Sequence, residues 1–167
     1  MGLRPTFGLT GHGGIIPLAL SLDTVGPFQM AADHGVMNVK RMVPILKVTD
    51  MERAVQFYGS TLGFVTDFRY DASSDGPTYV GMSLDGHQIH LSTFAGDGVL
   101  GAIAYCYVDD VDALFQKFLA AGLKTPGNPD SPVEDGPVDQ TWGMRELYVR
   151  DPDGNTLRFG SPLPHAR

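Results

Sequence analysis

From Arg41 onward the hydrophobic and polar positions run through the same pattern twice. "RMVPILKV" (41–48) is an apolar run of strand length. In "TDMERAVQFYGSTLGF" (49–64) the period changes, and Met51, Ala54, Val55, Tyr58 and Leu62 recur at helical spacing to give one apolar face. Thr49 followed by Glu52 predicts a capping box at the start of that helix, and Gly63 predicts its stop. "FVTDFRY" (64–70) reads as a strand. "TYVGMSL" (78–84) and "HQIHLSTF" (87–94) flank Asp85–Gly86, a dipeptide suited to a two-residue hairpin turn.

The second round opens with the strand "GAIAYCYV" (101–108) and the helix "DDVDALFQKFLAAG" (109–122). Val111, Leu114, Phe115, Phe118 and Leu119 repeat the stripe, and Gly122 repeats the stop. Asp50 and Asp110 precede their helices at equivalent places, where a carboxylate suits the positive end of the helix dipole. After an irregular stretch at 123–139, "WGMRELYV" and "TLRFG" predict a hairpin around Asp151–Pro152–Asp153–Gly154–Asn155. The order is strand–helix–strand–strand–strand, twice: an α+β fold of two βαβββ modules, at about 40–94 and 101–162. Modules this small do not bury a sheet alone, so they are expected to pack as a pair.

Composition narrows the class. With 167 residues, 43% hydrophobic and 19% charged, the chain has enough apolar content to fold, as one domain or as two lobes on a shared core. No apolar run reaches the roughly 18 residues of a membrane span, and no basic start leads into an apolar stretch as in a secretory signal. Cys106 is alone, which excludes a disulfide framework or a cysteine metal site, and a cytoplasmic address is expected. Net charge is −7 with no basic stripe, which argues against nucleic acid as a partner. An acidic surface draws cationic small molecules instead.

Residues 1–36 stand outside the repeat. "GLRPTFGLTGHGGIIPLALSLDTVGP" (2–27) is rich in glycine and proline and resembles a fragment of the amidase signature family. The Gly/Ser-rich loop bearing that family's catalytic serines is missing, as is its lysine, so no amidase activity carries over. A non-functional extension is expected: a fusion remnant, or a start placed ahead of a better one at Met37. An arm on a partner subunit is the structural alternative. The working domain is then 37–167.

"VPILKVTDMERAVQFYGSTLGFVTDF" and "WGMRELYVRDPDGNTLRF", in this order, resemble the vicinal oxygen chelate superfamily, which includes glyoxalase I, extradiol dioxygenases, fosfomycin-resistance enzymes and bleomycin-resistance proteins. The resemblance covers 40–162 and implies the paired-module fold. In metal-using relatives the ligands lie on the first and last strands of each module, at positions that fall here on Val43, His90, Ile103 and Arg158. One imidazole, two hydrocarbons and a guanidinium do not supply the about four donors of a zinc site, nor the about six oxygens of a magnesium site. Arg158 can instead fix a carboxylate, of the protein or of a ligand, by paired hydrogen bonds. No catalytic residue, metal or cofactor is therefore expected. His90 also reads as a hydrogen-bonded wall residue, and His87, three residues away, faces the other side of the strand.

Alternation along the strands predicts one face with Val48, Val80, Met82, Leu84, Ile89, Leu91, Ala104, Cys106, Leu157 and Phe159, packed under the helices. The other carries Val43, Ile45, Tyr79, His90, Ser92, Ile103, Tyr105 and Tyr107, with Arg158. Rings with a few polar groups suit a flat ligand. The bleomycin-resistance branch is the most similar; its members sequester a cationic glycopeptide, without chemistry, in grooves at a homodimer interface. By that resemblance Trp142 and Tyr79 fall where the drug's planar tail is sandwiched, and Asp67, Phe68 and Ser92 fall near other contacts. Trp142 lies one residue further from the DPDG turn than that pattern asks, which implies a bulge or a ring aimed elsewhere. The expectation is a metal-free homodimer binding a bleomycin-like or other aromatic, cationic ligand through Trp142, Tyr79, His90, Tyr105, Asp67, Phe68, Ser92 and Arg158. Two alternatives stand: a metal-dependent lyase, isomerase or dioxygenase using a set such as His90 with Glu146, and a domain serving only assembly or regulation.

Overall fold

Two four-stranded sheets and two helices organise residues 39–164, the part of the chain that the computed structural model describes. The amidase-like stretch at 2–27 lies outside the described residues. The first sheet holds β1 (Ile45–Lys47), β2 (Val65–Asp71), β3 (Thr78–Leu84) and β4 (His87–Ser92) in the order β1-β4-β3-β2. The second holds β5 (Ile103–Tyr107), β6 (Val138–Asp139), β7 (Met144–Arg150) and β8 (Thr156–Pro162) in the order β5-β8-β7-β6. In each, the first and last strands run parallel and the other pairs antiparallel. With α1 (Met51–Gln56) and α2 (Val111–Ala120) crossing over, both rounds are βαβββ, as the pattern predicts. In the observed registers Ile45 faces His90 across β1–β4, and Tyr105 faces Arg158 across β5–β8.

Short-range chemistry sets most boundaries. Asp85 and Gly86 take φ of 49° and 81°, the left-handed pair that a two-residue hairpin turn requires. Each helix is capped by its aspartate: Asp50 accepts from the Arg53 amide at 3.0 Å and Asp110 from the Ala113 amide at 2.9 Å. The predicted Thr49–Glu52 capping box does not form. Asp50 holds the extended cap position, while Thr49 donates to Asp153 and Glu52 takes the Arg69 guanidinium at 2.6 Å. Regular α1 stops at Gln56, and Phe57–Thr61 continue as a π turn before Gly63. β1 is shorter than its apolar run, so Val43 lies ahead of it.

The helices and the inner sheet faces share one core, with Leu46, Val48, Tyr58, Val80, Met82 and Leu91 meeting Val111, Phe118, Leu147, Leu157 and Phe159. Burying each such side chain contributes about 1.5–3 kcal/mol. Ile89 is also buried, whereas Leu84, Ala104 and Cys106 are only partly covered. Leu119 departs from its predicted place in the stripe; it sits at the edge and stays exposed.

A polar clasp ties the second module's turn to the first. The Asp151 carboxylate accepts from the Tyr58 hydroxyl at 2.9 Å and from the Asn155 side chain at 2.8 Å. Asn155 also donates to the Lys47 carbonyl at 2.8 Å and accepts from the Ala102 amide at 3.0 Å. Burial, and then the Asp151 charge, push the Tyr58 hydroxyl well above the usual phenol range. With the core on one side, the opposite faces are left open, exposing Ile45, Phe68 and Tyr70 on the first sheet and Ile103, Tyr105 and Tyr107 on the second.

Candidate functional site

On the first sheet, the β2 register shifts between Thr66 and Phe68, which puts Asp67 at a bulge. Phe68 then lies over Gly81, where a Cβ would come within 2.2 Å of its ring. Glycine is what lets the aromatic lie flat against β3. Phe68 and Tyr79 stack at 6.3 Å, and the His90 ring stands edge-on to both at 5.3 Å. Tyr79 Oη and His90 Nδ1 share a hydrogen bond of 2.9 Å. Burial, and then the Arg41 charge, lower the His90 pKa, so the ring is neutral at pH 7. Its Nε2 is buried without a partner among the described residues. Asp67 accepts from Ser83 at 2.7 Å and Gln88 at 2.6 Å, both neutral donors. Ser92 is fully buried; it donates to Asp97 at 2.6 Å and accepts from the Phe94 amide at 3.1 Å, the bonding of a wall residue.

On the second sheet the organising group is Glu146, 2% exposed. Its Oε1 accepts from Tyr105 at 2.7 Å and from the Trp142 indole at 3.1 Å, and its Oε2 from Tyr148 at 2.8 Å. Burial, and then Glu146 itself, raise the pKa of both tyrosines. Tyr105 lies across Gly160, where a Cβ would stand 2.0 Å from its hydroxyl, and its ring is 4.9 Å from Tyr107. Trp142 is not at the start of a strand, as the pattern suggests, but in the turn between β6 and β7. Gly143, at φ 83°, bonds back to Gln140, and Gln140 bonds to Met144. The turn absorbs the extra residue, and the indole folds back onto Glu146.

Arg158 stacks its guanidinium on the Tyr148 ring, 4.4 Å from the centroid. Of its two predicted kinds of partner, a protein carboxylate is not found among the described residues. Glu146 faces the same side of the sheet, but its oxygens are held by neutral donors.

The predicted residues thus divide. Asp67, Phe68, Tyr79, His90 and Ser92 gather on the first sheet, and Tyr105, Trp142 and Arg158 on the second. Tyr148 was not among them, and Glu146 entered only as a metal-ligand alternative. Alternation along β7, which puts both on the face of Arg158, was the available signal. The clusters lie on open faces; a cavity of about 320 Å³, lined by Leu123, Lys124, Glu134 and Arg150, borders the second cluster at Tyr148.

The divalent ion of metal-using superfamily members does not fit these residues. Val43 precedes β1 and, like the exposed Ile103, is a hydrocarbon without a donor atom, and Arg158 brings positive charge, which leaves His90 as the one donor of the four positions. No three His, Cys, Asp or Glu side chains converge among the described residues. In the alternative pair, His90 and Glu146, both Glu146 oxygens already accept from aromatic side chains, Tyr105, Trp142 and Tyr148.

Residues 29–163 match a family model described as Glyoxalase superfamily protein. No curated protein matches the chain. Among solved structures, TnmS3, an antibiotic binding protein from Streptomyces sp. CB03234, is similar at 25% identity and TM-score 0.55, over 76% of this chain and 99% of that one. A bleomycin-binding protein complexed with bleomycin is similar at 22% identity and TM-score 0.56, over 74% and 98%. A glyoxalase/bleomycin resistance protein/dioxygenase from Nocardioides is similar at 17% identity and TM-score 0.54, over 78% and 90%. The last two likenesses establish the fold alone.

Proposed function

We propose that this chain, which belongs to the glyoxalase superfamily, is a non-catalytic binding protein that sequesters a flat aromatic, cationic small molecule of the bleomycin kind. The observation that carries this reading is the buried Glu146, whose three aromatic donors hold Tyr105, Trp142 and Tyr148 at one open sheet face. Stacking on such rings contributes about 1 kcal/mol per ring beyond area burial, so a few suffice for useful affinity. Asp67, bonded only by neutral donors, and the net charge of −7 favour a cation. Neither face is a closed cleft by itself. A homodimer setting the first sheet of one protomer against the second sheet of its partner would make two equivalent clefts and cover Ile45, Tyr70, Ile103 and Tyr107.

The test pairs metal analysis with a thermal-shift screen of bleomycin and other planar antibiotics. A Tm rise of several degrees, unmodified ligand recovered after unfolding, and metal below roughly 0.1 equivalent support the reading. Stoichiometric metal with chelator-sensitive turnover, or a panel without any shift, overturns it.

A further inference from the structure

We infer that the ligand carries a carboxylate as well as its rings, and that Arg158 is the residue that reads it. This rests on the aromatic-binding reading above and goes beyond it. The described arginines of the strands and helices otherwise find carboxylates: Arg53 pairs with Asp153, Arg69 with Glu52 and Asp71, Arg145 with Asp112 and Asp139, and Arg150 with Glu134. Arg158 has none among the described residues, although the chain carries 19 acids against 12 basic residues. In so acidic a protein an unpaired guanidinium on a central strand needs an explanation.

Its setting supplies one. Arg158 is in register with Tyr105 on one side and Tyr148 on the other, so it lies within the ring cluster rather than at the rim. Stacking on Tyr148 fixes the plane of the fork before any ligand arrives. Its Nε is buried and has no hydrogen-bond partner among the described residues. A buried donor on a cation is costly to leave unmet, and native structures rarely do so without a function for it. Glu146 does not meet it; its oxygens accept instead from Tyr105, Trp142 and Tyr148. The guanidinium is left without a paired carboxylate among the described residues.

The missing partner must bring negative charge and two oxygens matched to a planar fork, which describes a carboxylate. It must also lie beside rings, which describes an aryl carboxylate. The cationic preference at Asp67 belongs to the other sheet, so a molecule spanning both would be zwitterionic.

The experiment uses two matched probes, naphthalene-2-carboxylate and the isosteric neutral naphthalene-2-carboxamide, titrated by calorimetry into the full chain and into Arg158→Gln and Arg158→Lys. Near-UV circular dichroism checks the fold of each variant. The unaltered protein should bind the carboxylate about tenfold more tightly than the amide, as expected for a charge-assisted pair on a fixed fork. Arg158→Gln should bind both alike, and Arg158→Lys, which keeps the charge without the fork, should retain part of the preference. Equal binding of the two probes by the unaltered protein, or a preference that survives Arg158→Gln, overturns the inference and leaves the aromatic site standing. Failure of both probes to bind the folded, unaltered protein overturns this inference, and the thermal-shift screen with bleomycin then decides the aromatic reading separately.

Discussion

Trp142 spends its indole N–H on Glu146, so its ring is held in one orientation and loses little freedom on binding a ligand. Trp142→Ala is therefore expected to weaken planar-ligand affinity by about tenfold while lowering stability by only about 1 kcal/mol, because the ring is half-buried. Calorimetry and urea denaturation read the two effects separately. Gly160 sits under Tyr105, and Gly160→Ala should push that ring off Glu146 and lower stability by about 1–3 kcal/mol. His90 gives a pH dependence. Its folded pKa lies below the ordinary 6.5, so only the unfolded chain gains the proton as the pH first drops below that value. Its contribution is full above about pH 6.5 and is lost as pH falls toward the depressed pKa; denaturation midpoints measured between pH 7 and 5 should show this slope, and His90→Gln should flatten it.

At the scale of elements, the clasp from the second module's turn decides how the modules are joined. Asn155→Ala removes donors from the Lys47 carbonyl and Asp151 and an acceptor from the Ala102 amide, all largely out of water. A loss of about 3 kcal/mol is expected, against about 1 kcal/mol for Asp110→Ala at an exposed helix cap. Equal losses would show that the clasp does not hold the modules together. The helix caps and the Asp85–Gly86 turn were legible in the sequence because each is settled within three or four residues. Thr49 and Glu52 were misread because their partners, Asp153 and Arg69, come from other elements.

For the whole molecule the open question is what covers two exposed aromatic faces. A homodimer at twice the 18.0 kDa chain mass is expected in sedimentation equilibrium at micromolar concentration. Tyr107→Lys, which places charge where the ring is 80% exposed, should give a folded monomer with lost affinity for planar ligands. A monomeric parent protein that still binds would sink the two-protomer cleft.

The chain order by itself determined the doubled βαβββ plan and the inward faces of the strands, since periodicity, capping and side-chain type are local properties. Only the tertiary structure decided that Glu146 gathers Tyr105, Trp142 and Tyr148, and that Arg158 is left without a carboxylate among the described residues. Those outcomes depend on which strands are neighbours and in what register, and a one-residue slip would have turned each of these side chains to the opposite face.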